Sequence, residues 1–393
     1  MFVGVSEYQI ATKDLARLWL SFLCYTISTS MSGPLIALHA HNLGASPSEI
    51  GIIYGIAAAT TFVSRLPLAS LQAKVGSQLL IRAGVFVNSV SLLVYTLSPT
   101  FRYMYLGSFL RGIGFASFHP PMLSEVVRLS GKQQRLGWVM TAPPIGMSLG
   151  PVVSSVLLSL FNDILGRSHA YGAVFLSGAC LSGLASLLPS RGDEGGELNV
   201  TQRADISKIL ERDMVLLVSS RLVLSYVIGA VSATLPIYVV KGGILPENEV
   251  PLVFAWSSIF NVLGRPLSST LRSPFRGILA GSVSMTIAGV LFLNTDLVSI
   301  YGAMAFYGLA LGLYIPSSLL MVQILMSGTQ LTMGIAVLTL AIDLGTSLGG
   351  FGTGLLMESL DAAPLLAISA TVAGLASLLL TYSLRTRKAL ERV

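Results

Sequence analysis

The sequence predicts an all-α membrane protein, with twelve transmembrane helices in two pseudo-symmetric six-helix bundles. Three observations carry this expectation. The 393 residues are 53% hydrophobic and 11% charged, with a mean hydropathy of +0.76, whereas a soluble domain is about one quarter charged. Charge this sparse cannot coat a globule, so lipid must be the solvent for most of the chain. Twelve apolar runs each approach the roughly 20 residues that a helix needs to cross hydrocarbon. Features of the first half also recur in the second at offsets of 196 to 202 residues.

The first six runs lie near 15–41, 48–70, 79–99, 103–125, 137–160 and 171–190. The other six lie near 214–240, 251–270, 277–294, 299–323, 331–357 and 363–383. Most links are short and rich in turn residues, as in "NLGASPSE" (42–49) and "KGGILPENE" (241–249). One connection is long and polar: 191–213 holds ten charged residues among twenty-three. It divides the chain into a bundle at 1–190, a cytoplasmic loop at 191–213 and a bundle at 214–393.

Charge placement sets the orientation. With both termini in the cytoplasm, nineteen Lys and Arg fall on that side and three outside: Arg102, Arg167 and Lys241. That is the positive-inside pattern of a multi-pass protein of the plasma or inner membrane. The net charge of +6 is therefore a topology signal and does not point to nucleic acid. Cys24 and Cys180 lie in apolar runs and offer neither a disulfide framework nor a metal site. The first run is longer than the core of a cleavable signal and lacks a clear cleavage site.

The repeat is readable locally. "RGIGFASFHP" from 111 and "YGLALGLYIP" from 307 share their second glycine and tenth proline. "LGASPSEI" (43–50) answers "GGILPENEV" (242–250), and "SRLPL" (64–68) recurs as "GRPL" (264–267). A parallel duplication of six helices is a transporter architecture.

Three motifs resemble the major facilitator superfamily, and the likeness extends over essentially the whole chain. The link "ASLQAKVGSQ" (69–78) is similar to that family's G-x-L-a-D-R-x-G-R-K signature. Leu71, Lys74 and Gly76 match it, Ala73 replaces the acid, and Ser77 and Gln78 replace the basic pair. "LRGIGFAS" (110–117) resembles the family's intramembrane arginine motif. "GWVMTAPPIGMSLGPVVSS" (137–155) resembles the fifth-span pattern of proton-coupled exporters, with Gly137, Gly146, Gly150 and Pro151 in place. The resemblance assigns these positions, with Lys74 and Gly76, to gating and helix packing. Small residues four apart also serve any close helix pair, and prolines bend helices.

Charges inside spans are costly, about 2.5–3.5 kcal/mol for an acid at a helix centre on insertion scales, and mark function by default. Seventeen of the eighteen acids fall in links, ends or tails; the other, Asp343, is thirteenth in a run of twenty-seven. Burial favours its neutral form and a nearby arginine its charged form, which suits a proton-coupling site; the alternative is a static pair. Arg111 and Arg221 lie deep in the fourth and seventh spans, which the resemblance turns toward the central cavity. They are candidate substrate contacts or partners of the proton site.

His119 shares the span of Arg111 and belongs to the residue type that changes charge near neutral pH; it is a candidate partner or a packed histidine. Ser21, Tyr25, Ser28 and Ser32 recur at helical spacing. That polar stripe suits either a cavity wall, making Tyr25 and Ser28 substrate contacts, or interhelical hydrogen bonds. His39 and His41 point to different helix faces, which disfavours a metal. Met31, Phe115, Trp138, Tyr226 and Trp256 are candidates for an apolar pocket or for packing.

The resulting expectation is a secondary active transporter that moves a small organic solute by alternating access, proton-coupled and outward. Its partners are that solute, protons and the lipid bilayer, without nucleic acid, metal or cofactor, and the chain acts as a monomer. A rival within transport is an organic anion carrier that uses Arg111 and Arg221. A rival of another class is a membrane enzyme or a sensor. Against an enzyme, no clustered His, Cys or acid set lies in the spans, and no P-loop is present.

Overall fold

The computed structural model describes residues 3–130, 139–189, 210–271, 273–326 and 329–384. They form twelve helices. The first six are α1 (Val3–Asn42), α2 (Pro47–Val75), α3 (Ser77–Thr96), α4 (Phe101–Ser130), α5 (Ala142–Leu165) and α6 (Arg167–Ala185). The remainder are α7 (Arg212–Lys241), α8 (Val250–Thr270), α9 (Pro274–Leu291), α10 (Leu297–Leu325), α11 (Thr329–Leu356) and α12 (Ala362–Leu384). Nine of these are long and apolar enough to cross a membrane. Serine, threonine, histidine and arginine dilute α1 and α4, and the apolar part of α6 is shorter, at His169–Ala185.

Local chemistry sets the ends. α5 begins at Ala142 with Pro143 and Pro144 in its first turn, where a proline loses no helical hydrogen bond. Asp296 caps α10, its carboxylate accepting from the Ser299 amide at 2.9 Å. The Ser299 hydroxyl and then its amide, both donating to this carboxylate, hold the Asp296 carboxyl below its ordinary range. Gly44 and Gly243 close the links after α1 and α7 at φ 85° and 65°, a region that strains residues bearing a Cβ. They lie 199 positions apart.

The chain forms two compact units. Unit 1 comprises Met1–Gly44 and Ala59–Leu198; unit 2 comprises Ala45–Ala58 and Asn199–Val393. Most of the connection expected at 191–213 lies outside the described residues. In unit 1, α1 packs on α5 and α6, and α3 packs on α4 and α6. In unit 2, α7 packs on α11 and α12, and α9 packs on α10 and α12. These four pairings correspond helix for helix.

The seams agree residue by residue. A Cβ on Gly146 of α5 would fall 2.7 Å from the Thr26 Cβ and 3.1 Å from the Ile27 nitrogen of α1. One on Gly345 of α11 would fall 2.9 Å from the Ser225 Cβ and 3.1 Å from the Tyr226 nitrogen of α7. All three residue pairs are 199 apart. Gly84 likewise meets the Phe118 nitrogen (2.7 Å), and Gly281 meets the Tyr314 nitrogen (3.1 Å). Backbone approaches this close suit lipid, where apolar burial no longer drives helices together and van der Waals packing must. Residues 45–58 join unit 2 through the same device: Gly51 meets Gly354, and the Ser347 hydroxyl donates to the Gly55 carbonyl at 3.0 Å.

Replacing Gly345 with Val should force α7 and α11 apart and cost about 1–3 kcal/mol, seen as a lower melting temperature of the purified protein. Leu348→Val, at an exposed position on the same helix, should stay within about 0.5 kcal/mol of the parent.

Candidate functional site

In unit 1 the candidates gather along the seam between α1 and α4. The Arg111 Nη2 donates to the Thr29 carbonyl at 3.1 Å, and the guanidinium passes close to Gly33 of α1. The Arg111 Nη1 is buried without a hydrogen-bond partner. One turn along α1, the Tyr25 ring stacks on Phe118 at 3.9 Å between centroids, and its buried hydroxyl is also unpartnered. His119 stacks on Phe115 (5.2 Å) and meets Phe22 edge-on (6.2 Å). Tyr25, His119 and Phe115 therefore share one aromatic cluster. Arg111 lies about 12 Å along α4 from His119, from the helical rise.

The serine stripe has a different use. Ser28 donates to the Gly178 carbonyl of α6 (2.9 Å) and receives from the Asn88 amide of α3 (3.3 Å). Asn88 also donates to Ser182, whose hydroxyl donates to the Val85 carbonyl. Ser21 reaches the Ala185 carbonyl at 3.4 Å. Ser21 and Ser28 thus hold α1 to the helices behind it, which supports interhelical hydrogen bonding over the cavity-wall expectation. A period of 3.6 identifies a helix face but not the neighbour that covers it. His39 is buried against Tyr171 and Phe175, with centroids 5.5 and 5.4 Å away. No metal-binding group occurs among the described residues.

The link between α2 and α3 shows what replaces the charges of its motif. The Gln72 amide donates to Ser77 and to Ser124 of α4 at 3.0 and 2.9 Å. The Gln78 amide donates to Glu125 at 2.7 Å, and Arg128 donates to the same carboxylate at 3.0 Å. Lys74 is exposed, and Gly76 turns the chain at φ 81°. Glu125 is only 3% exposed. Glu125 stands at the end of its span, as the sequence places it, but it is a second buried carboxylate, within the last turns of α4. Its i, i+3 relation to Arg128 was a visible signal, whereas the Gln78 contact, 47 residues away, was not. Gly146, Gly150 and Pro151 are buried in α5; Gly137 and Trp138 lie outside the described residues.

In unit 2, Arg221 of α7 is 2% exposed, and its Nε and Nη1 have no hydrogen-bond partner. Among the described residues it makes no ion pair; its guanidinium carbon lies 5.4 Å from the centroid of the Tyr314 ring. Such a cation–π contact supplies about 0.5–2 kcal/mol. The effective penalty for burying a charge is several kcal/mol, so the ring alone does not compensate it. Beside it runs a hydroxyl network that sequence reading missed. Ser220 bonds Tyr314 (2.7 Å) and Ser377 (2.8 Å), and Ser377 bonds Ser282 (2.7 Å). Four helices contribute, three of them without charge in their spans.

Asp343 is buried at 6% exposure within α11. Ser347, Gly350, Phe351 and Gly354 follow on the same face at helical spacing, and all of them meet α2. The carboxylate therefore lies one turn from Ser347 on a packed face and not against lipid. Tyr226 faces α11, with its hydroxyl 2.8 Å from where a Gly352 Cβ would be. Trp256 is exposed and donates to the Tyr301 carbonyl at 3.1 Å. Met31 packs against Gly150 and Gly178.

The family model described as Major Facilitator Superfamily matches residues 18–275. An uncharacterised MFS-type transporter of Methanocaldococcus jannaschii is 26% identical over 154 residues, 38% of this chain and 40% of that protein. The human MFS-type transporter SLC18B1 is 26% identical over 274 residues, 66% of this chain and 55% of that protein. The matches thus span about half the length of these curated relatives. Among solved structures, a point mutant of the nucleoside transporter NupG superposes with a TM-score of 0.77 at 14% identity, covering 95% of this chain and 98% of that one. A bacterial homologue of the human lysosomal transporter Spinster gives 0.68 at 16%, covering 98% and 95%. At such identities the structures establish the fold.

Tyr25→Phe removes a buried hydroxyl without a partner. It should leave the melting temperature unchanged or raise it, by up to about 1 kcal/mol in stability. Destabilisation on thermal melting of the purified variant would show that the hydroxyl has a partner.

Proposed function

The chain belongs to the Major Facilitator Superfamily, and from that premise we propose a secondary carrier that moves a small organic solute outward by alternating access in exchange for protons. That the chain is a multi-pass membrane transporter and not an enzyme follows from family and fold. The observation that carries the proton role is Asp343, a carboxylate buried in the middle of α11 on a packed face. A neutral carboxyl group is tolerated in a low-dielectric interior, while the ionised form requires water or a counter-charge. Asp343 takes up a proton from the side where protons are abundant and releases it on the other, so its occupancy differs between the two accessible states. Solute that binds one of those states better is then driven across.

The energetics suffice. One elementary charge moved across 100 mV is worth about 2.3 kcal/mol, enough for a roughly fifty-fold solute gradient. The distribution of Lys and Arg supports a cell-membrane carrier with the α2–α3 and α8–α9 links in the cytoplasm. The fifth-helix pattern at Gly146, Gly150 and Pro151, similar to that of exporters, supports the outward direction. A second reading, transport of an organic anion, is favoured by the unpartnered N–H groups of Arg111 and Arg221.

Purified protein in liposomes, with an imposed pH gradient and a panel of dyes, sugars and organic anions, tests both readings. Wild type should accumulate its solute toward a limit of about tenfold per imposed pH unit for each proton exchanged. Asp343→Asn should fall back to equal concentrations while still exchanging labelled for unlabelled solute. An Asn variant that keeps full proton-driven accumulation would overturn the proton role. A preference confined to anions in the panel would select the second reading.

A further inference from the structure

We propose that unit 2 binds a compact monovalent anion, either chloride or the carboxylate of an organic solute, at the Nε and Nη1 groups of Arg221. The repeat makes the argument. Position 221 corresponds to Phe22, 199 residues earlier, and Tyr314 corresponds to Phe118, 196 residues earlier. In unit 1 the Phe22 and Phe118 rings meet at 5.4 Å within a closed apolar core that includes Leu18, Tyr25, Val85 and Met122. In unit 2 the Arg221 guanidinium lies 5.4 Å from the Tyr314 ring. One backbone arrangement thus accepts an apolar side chain at this place, so packing does not call for a cation here.

Phe22 has polar neighbours of its own, Ser21 and His119, but around Arg221 the hydroxyls are joined into a network. The buried hydroxyls of Ser220, Tyr314, Ser282 and Ser377 run beside it, and the Ser225 hydroxyl, one turn along α7, is buried without a partner. Two unpartnered guanidinium N–H groups next to hydroxyls can donate to an anion but cannot hold a cation. Among the described residues no carboxylate fills that role for Arg221. Arg221 is 2% exposed, so only a small ion or head group suits the position.

The proposal does not depend on Asp343 or on proton coupling. Full-length protein is purified with gluconate, too bulky for a closed helical interior, as the only anion, and chloride or acetate is then titrated in. Wild type should gain about 1–2 °C in melting temperature per tenfold rise in anion above its dissociation constant. Arg221→Phe installs the residue of the first repeat; it should melt at or above wild type in gluconate and gain nothing from either anion. Arg221→Met serves the same purpose should the phenylalanine not pack. A response to chloride but not acetate identifies an inorganic ion, and a response to acetate identifies a carboxylate. Absence of any anion-dependent shift in wild type, or an equal shift in the variants, overturns the proposal. Asp343→Asn should keep the wild-type shift, so failure of the anion site and failure of proton coupling are read separately.

Discussion

Inside hydrocarbon, a polar group that has left water must find its partner within the protein, and this constraint organises the whole molecule. Backbone groups meet it by forming helices. Side chains meet it through short local bonds, such as Thr26 to the Phe22 carbonyl four residues back, or through bonds between helices, such as Ser28 to Gly178. Because lipid is as apolar as leucine, the helices are then drawn together mainly by close contact, which explains the glycines that allow α1 to touch α5 and α7 to touch α11. Among the polar atoms that break the rule, those on Arg111 and Arg221 are the most informative, because they belong to charged groups.

The duplication separates scaffold from chemistry. The glycine seams, the links at Gly44 and Gly243 and the helix pairings are common to both units. What differs is the filling. Where unit 1 places Phe22 on Phe118, unit 2 places Arg221 on Tyr314, and where α5 has Pro144 two residues before Gly146, α11 has Asp343 two before Gly345. A backbone held by glycine contacts tolerates such exchanges because the seam does not depend on the side chains that change. The residues with transport chemistry can therefore diverge between two halves that remain alike in shape.

Much of this was legible in the chain. The twelve helices follow from hydropathy, and the α1–α5 seam follows from Gly146 and Gly150 four residues apart. The burial of Asp343 follows from its place in the middle of an apolar run. Other features were not legible, because they depend on which helix lies opposite. The serines of α1 form a stripe, but only packing shows that Ser28 turns toward Asn88 and Gly178 and away from the face of Arg111. Glu125 stands at the end of an apolar run and reads as a surface acid until Gln78, from a different helix, is found against it. The network of Ser220, Ser282, Tyr314 and Ser377 draws single hydroxyls from four helices, and no local pattern announces it.

The tie between Gln78 and Glu125 has a consequence for how the α2–α3 link responds to its surroundings. Contacts between charges at a membrane surface weaken as electrolyte accumulates, over a Debye length of about 8 Å at physiological ionic strength. Here the donors from the link are neutral: Gln72 holds the Ser124 hydroxyl, and Gln78 holds the buried Glu125 carboxylate, which Arg128 engages from within α4. Anchoring of this kind is largely indifferent to osmotic or ionic change, and a carrier built on it keeps its resting geometry in media where a charge-based latch would loosen.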